Sequence, residues 1–200
     1  MSARAASYLG DPPSDVRQFP RYRLRAGTTI YRIHREEFGP WWFSDDGRGR
    51  FDLVLLPGQG TCYLAQRAVG GLLEAFKGMR MVSEEDMAAR RECAIVLSRD
   101  LLLANCCVAA AGKFGVNAEI HTTEVYGKTQ AWAAALRRAG FDGIRYFLRS
   151  DPSLKLIGYA IFDVAGEPPA HRWPHGRSAD ISESALAEAA KYGVRVAPTP

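Results

Sequence analysis

No stretch of the 200 residues approaches the roughly 18 consecutive apolar residues of a membrane-spanning helix. Asp11-Pro12-Pro13-Ser14-Asp15 stands where a secretory leader would place its apolar segment, so a soluble cytoplasmic protein without a membrane partner is expected. Cysteine is scarce. Cys62, Cys93, Cys106 and Cys107 form no C-x-x-C pair and have no histidine at zinc spacing. This argues against a disulfide scaffold and a structural metal, and suits free thiols in a reducing compartment. A dominant charge is lacking too: 26 Lys and Arg against 22 Asp and Glu leave a formal net charge of +4. That mild bias favours anionic partners but falls short of the basic stripe of a nucleic-acid binder. The pairs Arg90-Arg91 and Arg137-Arg138, expected on solvent faces of helices, lack interleaved aromatics, so no nucleic-acid partner is expected. Also missing are a phosphate-binding G-x-x-x-x-G-K-[ST] loop, G-x-S-x-G and H-E-x-x-H, while Gly58-Gln59-Gly60 lacks the rest of a dinucleotide fingerprint. His34, His121, His171 and His175 are scattered, and only the last two are close together, on a loop.

What is present is an ordinary globular composition, 47% hydrophobic and 24% charged, in a length that suits one domain. Residues 1–23 read as a loosely ordered lead-in, 24–165 as the domain and 166–200 as an extension without a second core. Alternation from Thr28 to His34 predicts a strand with Ile30, Arg32 and His34 on one face and Tyr31 and Ile33 on the other. Thr61–Ala65 predicts a second strand. Ala65, Ala68, Val69, Leu72, Leu73 and Phe76 then recur at three and four, predicting a helix that Gly78 closes. Ser83 and Asp86 form a capping-box variant ahead of a short helix to about Arg91, followed by a strand at Cys93–Leu97. The apolar run Leu101–Ala111 fits either a strand or a buried helix. Gln130–Ala139 predicts a helix stopped by Gly140, and strands follow at Ile144–Leu148 and Leu156–Phe162. A loop from Gly166 to Gly176 and an Ala-rich helix from Ser182 to Tyr192 complete the chain.

Within these apolar segments stand five polar residues: Arg32, Arg50, Tyr63, Glu74 and Ser150. Each alone has a plain structural explanation: a rim ion pair, a core hydroxyl, a helix surface or a turn cap. Their order is more telling. Tyr31-Arg32-Ile33-His34, Arg48-Gly49-Arg50-Phe51-Asp52, Gly60-Thr61-Cys62-Tyr63-Leu64-Ala65, Leu72-Leu73-Glu74-Ala75-Phe76, Thr129-Gln130-Ala131-Trp132-Ala133 and Asp142-Gly143-Ile144-Arg145-Tyr146 together resemble the RES domain family. The family's Arg, Glu and Ser fall here on Arg32, Glu74 and Ser150, or on Ser153 in a shifted register.

The resemblance implies an α+β fold similar to ADP-ribosyltransferases, a split mixed sheet flanked by helices in a single domain. It implies an enzyme whose substrate is nicotinamide adenine dinucleotide (NAD), the toxin of a toxin–antitoxin pair silenced by an Xre-type antitoxin, with a homodimer also in view. Cleavage of the nicotinamide–ribose bond passes through a cationic sugar, so Glu74 would stabilise that charge, and Arg32 and Arg50 would grip phosphate oxygens. Tyr63 would stack on nicotinamide, Ser150 would bond its amide or the ribose, and His34, on the face of Arg32, would meet a phosphate or lack a role. The ADP-ribose acceptor is phosphate, the co-substrate of a phosphorylase, or water. A protein ADP-ribosyltransferase, an inactive NAD-binding interaction module and an enzyme of specialised metabolism are the alternatives.

Overall fold

Period-two alternation and period-three-to-four apolar stripes set the elements, which the computed structural model describes over residues 8–77, 79–169, 171–174 and 176–197. In chain order, β1 (Arg21–Leu24) and β2 (Thr29–Arg35) precede a long loop to β3 (Gln59–Ala65), then α1 (Ala68–Ala75). Next come β4 (Met81–Ser83), α2 (Glu84–Ala88), β5 (Arg90–Val96), β6 (Leu101–Asn105) and a 3-10 helix at Ala109–Phe114. The chain continues through α3 (Glu119–Thr122), α4 (Tyr126–Arg138), β7 (Gly143–Phe147) and β8 (Ile157–Val164). It ends with β9 (Arg177–Ala179), α5 (Glu183–Lys191) and β10 (Arg195–Ala197).

Eight strands form one mixed sheet in the order β1-β6-β7-β8-β3-β2-β5-β9, and β10 pairs with β4 in a separate parallel ribbon. Only β6 and β7 run parallel within the large sheet. Between β2 and β3 the pairing shrinks to Tyr31 opposite Ala65, whereas β3 pairs with β8 over seven residues and β2 with β5 over seven. The sheet is therefore split into two halves, as the resemblance implied. One apolar cluster draws on both halves, with Ile30, Cys62, Leu64, Cys93, Ile95 and Tyr159 meeting Trp41, Phe43 and Trp173. The other lies beneath the helices, where Val69, Leu72 and Leu73 of α1 and Trp132 and Leu136 of α4 cover Ile33, Ile144 and Ala160.

Several elements differ from the sequence reading. The run after Leu101 resolves into strand β6 and the 3-10 helix. Ser83 caps α2 by accepting from the Asp86 amide, but the helix stops at Ala88, so Arg90 and Arg91 lie on β5 instead of a helix face. Arg90 stacks over Phe76, and Arg91 pairs with Glu36 and Asp180. Gly78, expected to close α1, and His175 lie outside the described residues. The N-terminal segment is packed: Leu9, Val16 and Phe19 are buried, Phe19 meets Phe114, Trp132 and Phe141, and β1 adds an edge strand. At the other end β9 joins β5, and Ala189 of α5 is buried in the core beneath the helices.

Phe19 thus tests where the folded unit begins. Phe19→Ala should lower unfolding free energy in urea by about 3–5 kcal/mol, the cost of emptying a buried aromatic site. A loss under ~1 kcal/mol would contradict the packing of residues 8–24.

Candidate functional site

Glu74 lies near the C-terminal end of α1, on the side of the sheet that carries Ile33 and Tyr63. Burial raises its carboxyl pKa, opposed by the charge of Arg50, the Tyr146 hydroxyl and the charges of Arg149 and Lys77. Arg50 comes from the loop between β2 and β3 and is itself buried at 8% exposure. Among the described residues its Nη1 has no hydrogen-bond partner, and its guanidinium lies 5.9 Å from the centre of the Tyr126 ring. A buried cation atom left without an acceptor is costly, and Arg145 Nε of β7 is another such atom.

Tyr146 enters from β7. Its ring packs on Phe51 at 4.9 Å, and Gly158 on the neighbouring strand leaves the space it occupies. Its hydroxyl is close enough to influence Glu74, yet it is buried without a hydrogen bond of normal geometry. Burial, then Glu74, push the hydroxyl's pKa far up, so it stays a protonated donor. His121 of α3 is a further neighbour: burial, then the charge of Arg50, hold it down to about 4, a neutral ring at physiological pH. Its Nδ1 accepts from the Phe147 amide at 3.3 Å, tying α3 to the end of β7.

Tyr63 belongs to the same side, but its hydroxyl is fully engaged. It donates to Asp52 at 2.8 Å and accepts from the Phe51 amide at 2.8 Å. Asp52 also accepts from the Gly49 amide at 2.8 Å, and a side chain at Gly49 would collide with both the Asp52 carboxylate and the Tyr63 hydroxyl. Tyr63 therefore anchors the turn that presents Arg50.

Ser150 lies in the turn after β7, next to Arg149, and its hydroxyl makes no hydrogen bond among the described residues. Ser153 is different: its hydroxyl donates to Asp151 at 2.6 Å. The Asp151 carboxylate also accepts the amides of Ser153, Lys155 and Leu156, which fixes the turn and, despite burial, lowers its own pKa.

The structure does not bring Arg32 and His34 to this group. Alternation on β2 sends both to the opposite side of the sheet, where Ile30 and Cys62 lie. Arg32 donates to the Pro40 carbonyl at 2.6 Å and approaches Cys62 Sγ at 3.1 Å. His34 Nδ1 lies 2.6 Å from the Phe38 carbonyl, and Nε2 lies 3.0 Å from Ser178 Oγ of β9. Burial is the main cause holding His34 below its ordinary pKa. Both residues fasten the segment after β2, and His34 also fastens β9. Two surface recesses, of about 550 and 480 Å3, lie elsewhere, one beside Met87 and Leu186 and one beside Trp41 and Pro168. Neither is lined by Glu74, Arg50 or Tyr146. Among the described residues no group of three or more side chains is placed to hold a metal, and no helix is long and apolar enough to cross a membrane.

A protein-family model described as "RES domain" matches residues 29–191, most of the chain. The chain belongs to the RES domain family. No curated protein matches it. Among solved structures, a chain of the M. tuberculosis MbcT–MbcA toxin–antitoxin complex superposes with a TM-score of 0.62 at 18% identity, covering 83% of this chain and 90% of that one. The RES fold, a large mixed sheet flanked by helices, is thus shared at low identity. Within this RES domain, sequence reasoning named Glu74, Arg50 and Tyr63 but missed Tyr146 and His121. Tyr146 ended a quoted motif, and its alternation with Arg145 was the available signal; nothing marked His121.

Because the folded protein holds the Glu74 proton more tightly than the unfolded chain does, wild-type stability should fall as pH rises from about 4.5 towards the raised folded value. Glu74→Gln removes that loss. Unfolding in urea should show the variant gaining on wild type between pH 4 and pH 7; a variant that loses ground over that interval would contradict the assigned environment.

Proposed function

We propose that this RES domain protein cleaves NAD at the nicotinamide–ribose bond and is the toxin of a cytoplasmic toxin–antitoxin pair. The observation that carries the reading is the grouping of Glu74 with Arg50, whose buried Nη1 has no partner among the described residues, and with Tyr146, whose buried hydroxyl is turned to Glu74. A buried guanidinium donor without an acceptor fits an oxygen-rich anionic substrate such as a dinucleotide.

In this reading the sugar becomes cationic as the bond to nicotinamide lengthens, and Glu74 stabilises that charge from fixed distance. Arg50 holds a phosphate or ribose oxygen, a role for which its planar fork is suited. Tyr146 donates to the ribose or carboxamide, and Ser150 supplies a hydroxyl at the rim. Tyr63 acts chiefly through the turn it anchors, while Arg32 and His34 support the fold around the split in the sheet.

Inorganic phosphate is the acceptor we favour, giving ADP-ribose phosphate and free nicotinamide. Glu74 feels three cations, Arg50, Arg149 and Lys77; Arg149 also pairs with Glu124 and Lys77 bonds the Arg48 carbonyl, which leaves Arg50 with unused donor capacity. A second anion beside the pyrophosphate would use the surplus. The partner proposed is an Xre-type antitoxin, in keeping with the toxin–antitoxin complex whose fold this chain shares.

Purified protein should release nicotinamide from NAD faster when phosphate is added, and Glu74→Gln should slow release by about 100-fold or more. Release indifferent to phosphate would replace the phosphorylase by a hydrolase, and label recovered on protein would replace it by an ADP-ribosyltransferase. Equal rates for Glu74→Gln and wild type would overturn the role of Glu74.

A further inference from the structure

The turn from Gly47 to Asp52 carries Arg50, and its five backbone carbonyls from Gly47 to Phe51 all accept from side chains elsewhere in the chain. The Thr61 hydroxyl donates to the Phe51 carbonyl at 2.9 Å, and the Lys77 ammonium to the Arg48 carbonyl at 3.1 Å. From α4, the Thr129 hydroxyl donates to the Arg50 carbonyl. One residue further along α4, the Gln130 amide donates from Nε2 to two carbonyls of the turn, Gly47 and Gly49, at 3.0 Å each. Gln130 is buried at 7% exposure in a helix whose other inward residues there are Trp132 and Ala133. A polar amide in such a place costs stability unless it is bonded, and both of its bonds go to the turn.

Gly47 adopts φ +75°, a left-handed conformation open to glycine without strain, so the bonds from α4 and not backbone strain restrain the turn. Two carbonyls held two residues apart by one rigid amide define the path of the chain just before Arg50. The buried guanidinium, lacking its own acceptor at Nη1, supplies no such restraint. Released from the turn, it would be drawn to solvent by hydration and by the cost of burying an unpaired charge.

We propose that Gln130 is a positioning residue: through the carbonyls of Gly47 and Gly49 it fixes the turn that keeps Arg50 in electrostatic reach of Glu74 before substrate arrives. The proposal rests on the reading of Glu74 and Arg50 as the NAD-cleaving pair. It gives the Thr129-Gln130 motif a function separate from its place in a helix.

The test uses Gln130→Met, which keeps side-chain length and helix propensity while removing both donors, beside Arg50→Met and the double variant. Gln130→Ala carries the same comparison should the thioether fail to pack. Two quantities are read on the full chain: the titration of the Glu74 carboxyl by carbon-13 NMR, and nicotinamide release. Gln130→Met should move the Glu74 titration upward, in the direction of Arg50→Met, and slow release by about 10- to 100-fold, the scale of a small misplacement. In the Arg50→Met background it should change neither. A Glu74 titration unmoved by Gln130→Met, or effects that simply add in the double variant, would overturn the proposal. Should wild type release no nicotinamide, the NAD reading fails by itself, and the titration arm still decides the role of Gln130.

Discussion

A guanidinium buried without a full set of acceptors is the constraint on which the candidate site depends. Arg50 is 8% exposed and its buried Nη1 has no bond among the described residues, a state that costs free energy unless the surroundings hold it. It does not relax because the turn beneath it is tied to three elements: to β3 by Tyr63 and Thr61, to α4 by Thr129 and Gln130, and to the end of α1 by Lys77. The cation then acts on its neighbours. It opposes the rise of the Glu74 pKa that burial causes and helps to keep His121 neutral. Strain of this kind, sustained by the surrounding fold, is what a preorganised electrostatic site requires.

The split sheet supplies the scaffold. Where β2 and β3 part, α1 packs across both, close enough that a side chain at Gly71 would rest on the backbone of Ile33 and Tyr31. The helix carrying Glu74 is thus registered against both halves. The opposite side of the sheet is stabilised differently. Trp41 and Trp173 stack at 4.3 Å, Trp173 donates to the buried Asp163 at 2.7 Å, and Arg32 and His34 fasten the chain around them. The two sides thus differ in kind, with Glu74, Arg50 and Tyr146 under the helices and stacked aromatics closing the opposite side.

Much of this was legible in the chain. Periodicity located α1, α4 and the strands of the central sheet because those elements bury one clear face, and the ordered motifs led to the family. Glu74 and Arg50 were visible as polar residues inside apolar blocks. What alternation also stated, and the motif reading set aside, is that Arg32 and His34 share a face with Ile30; two arginines matching one expectation were not separable until the fold put β2 between them. Tyr146 and His121 were hidden because their importance lies in which residues surround them. Phe19 and Leu9 were hidden by the Pro-rich composition around them, since long-range packing on Trp132 and Phe114 leaves no local period.

The central claim is that Glu74 and Arg50, and not the Arg32 side of the sheet, form the place where NAD is cut. The measurement that tests it most directly is a crystal structure of the Glu74→Gln variant bound to intact NAD. The account predicts the nicotinamide ribose beside position 74, with a substrate oxygen within hydrogen-bond distance of Arg50 Nη1 or Tyr146 Oη. NAD seated instead in the recess beside Pro40 and Trp41, with Arg50 Nη1 and the Tyr146 hydroxyl still unpartnered, would contradict it.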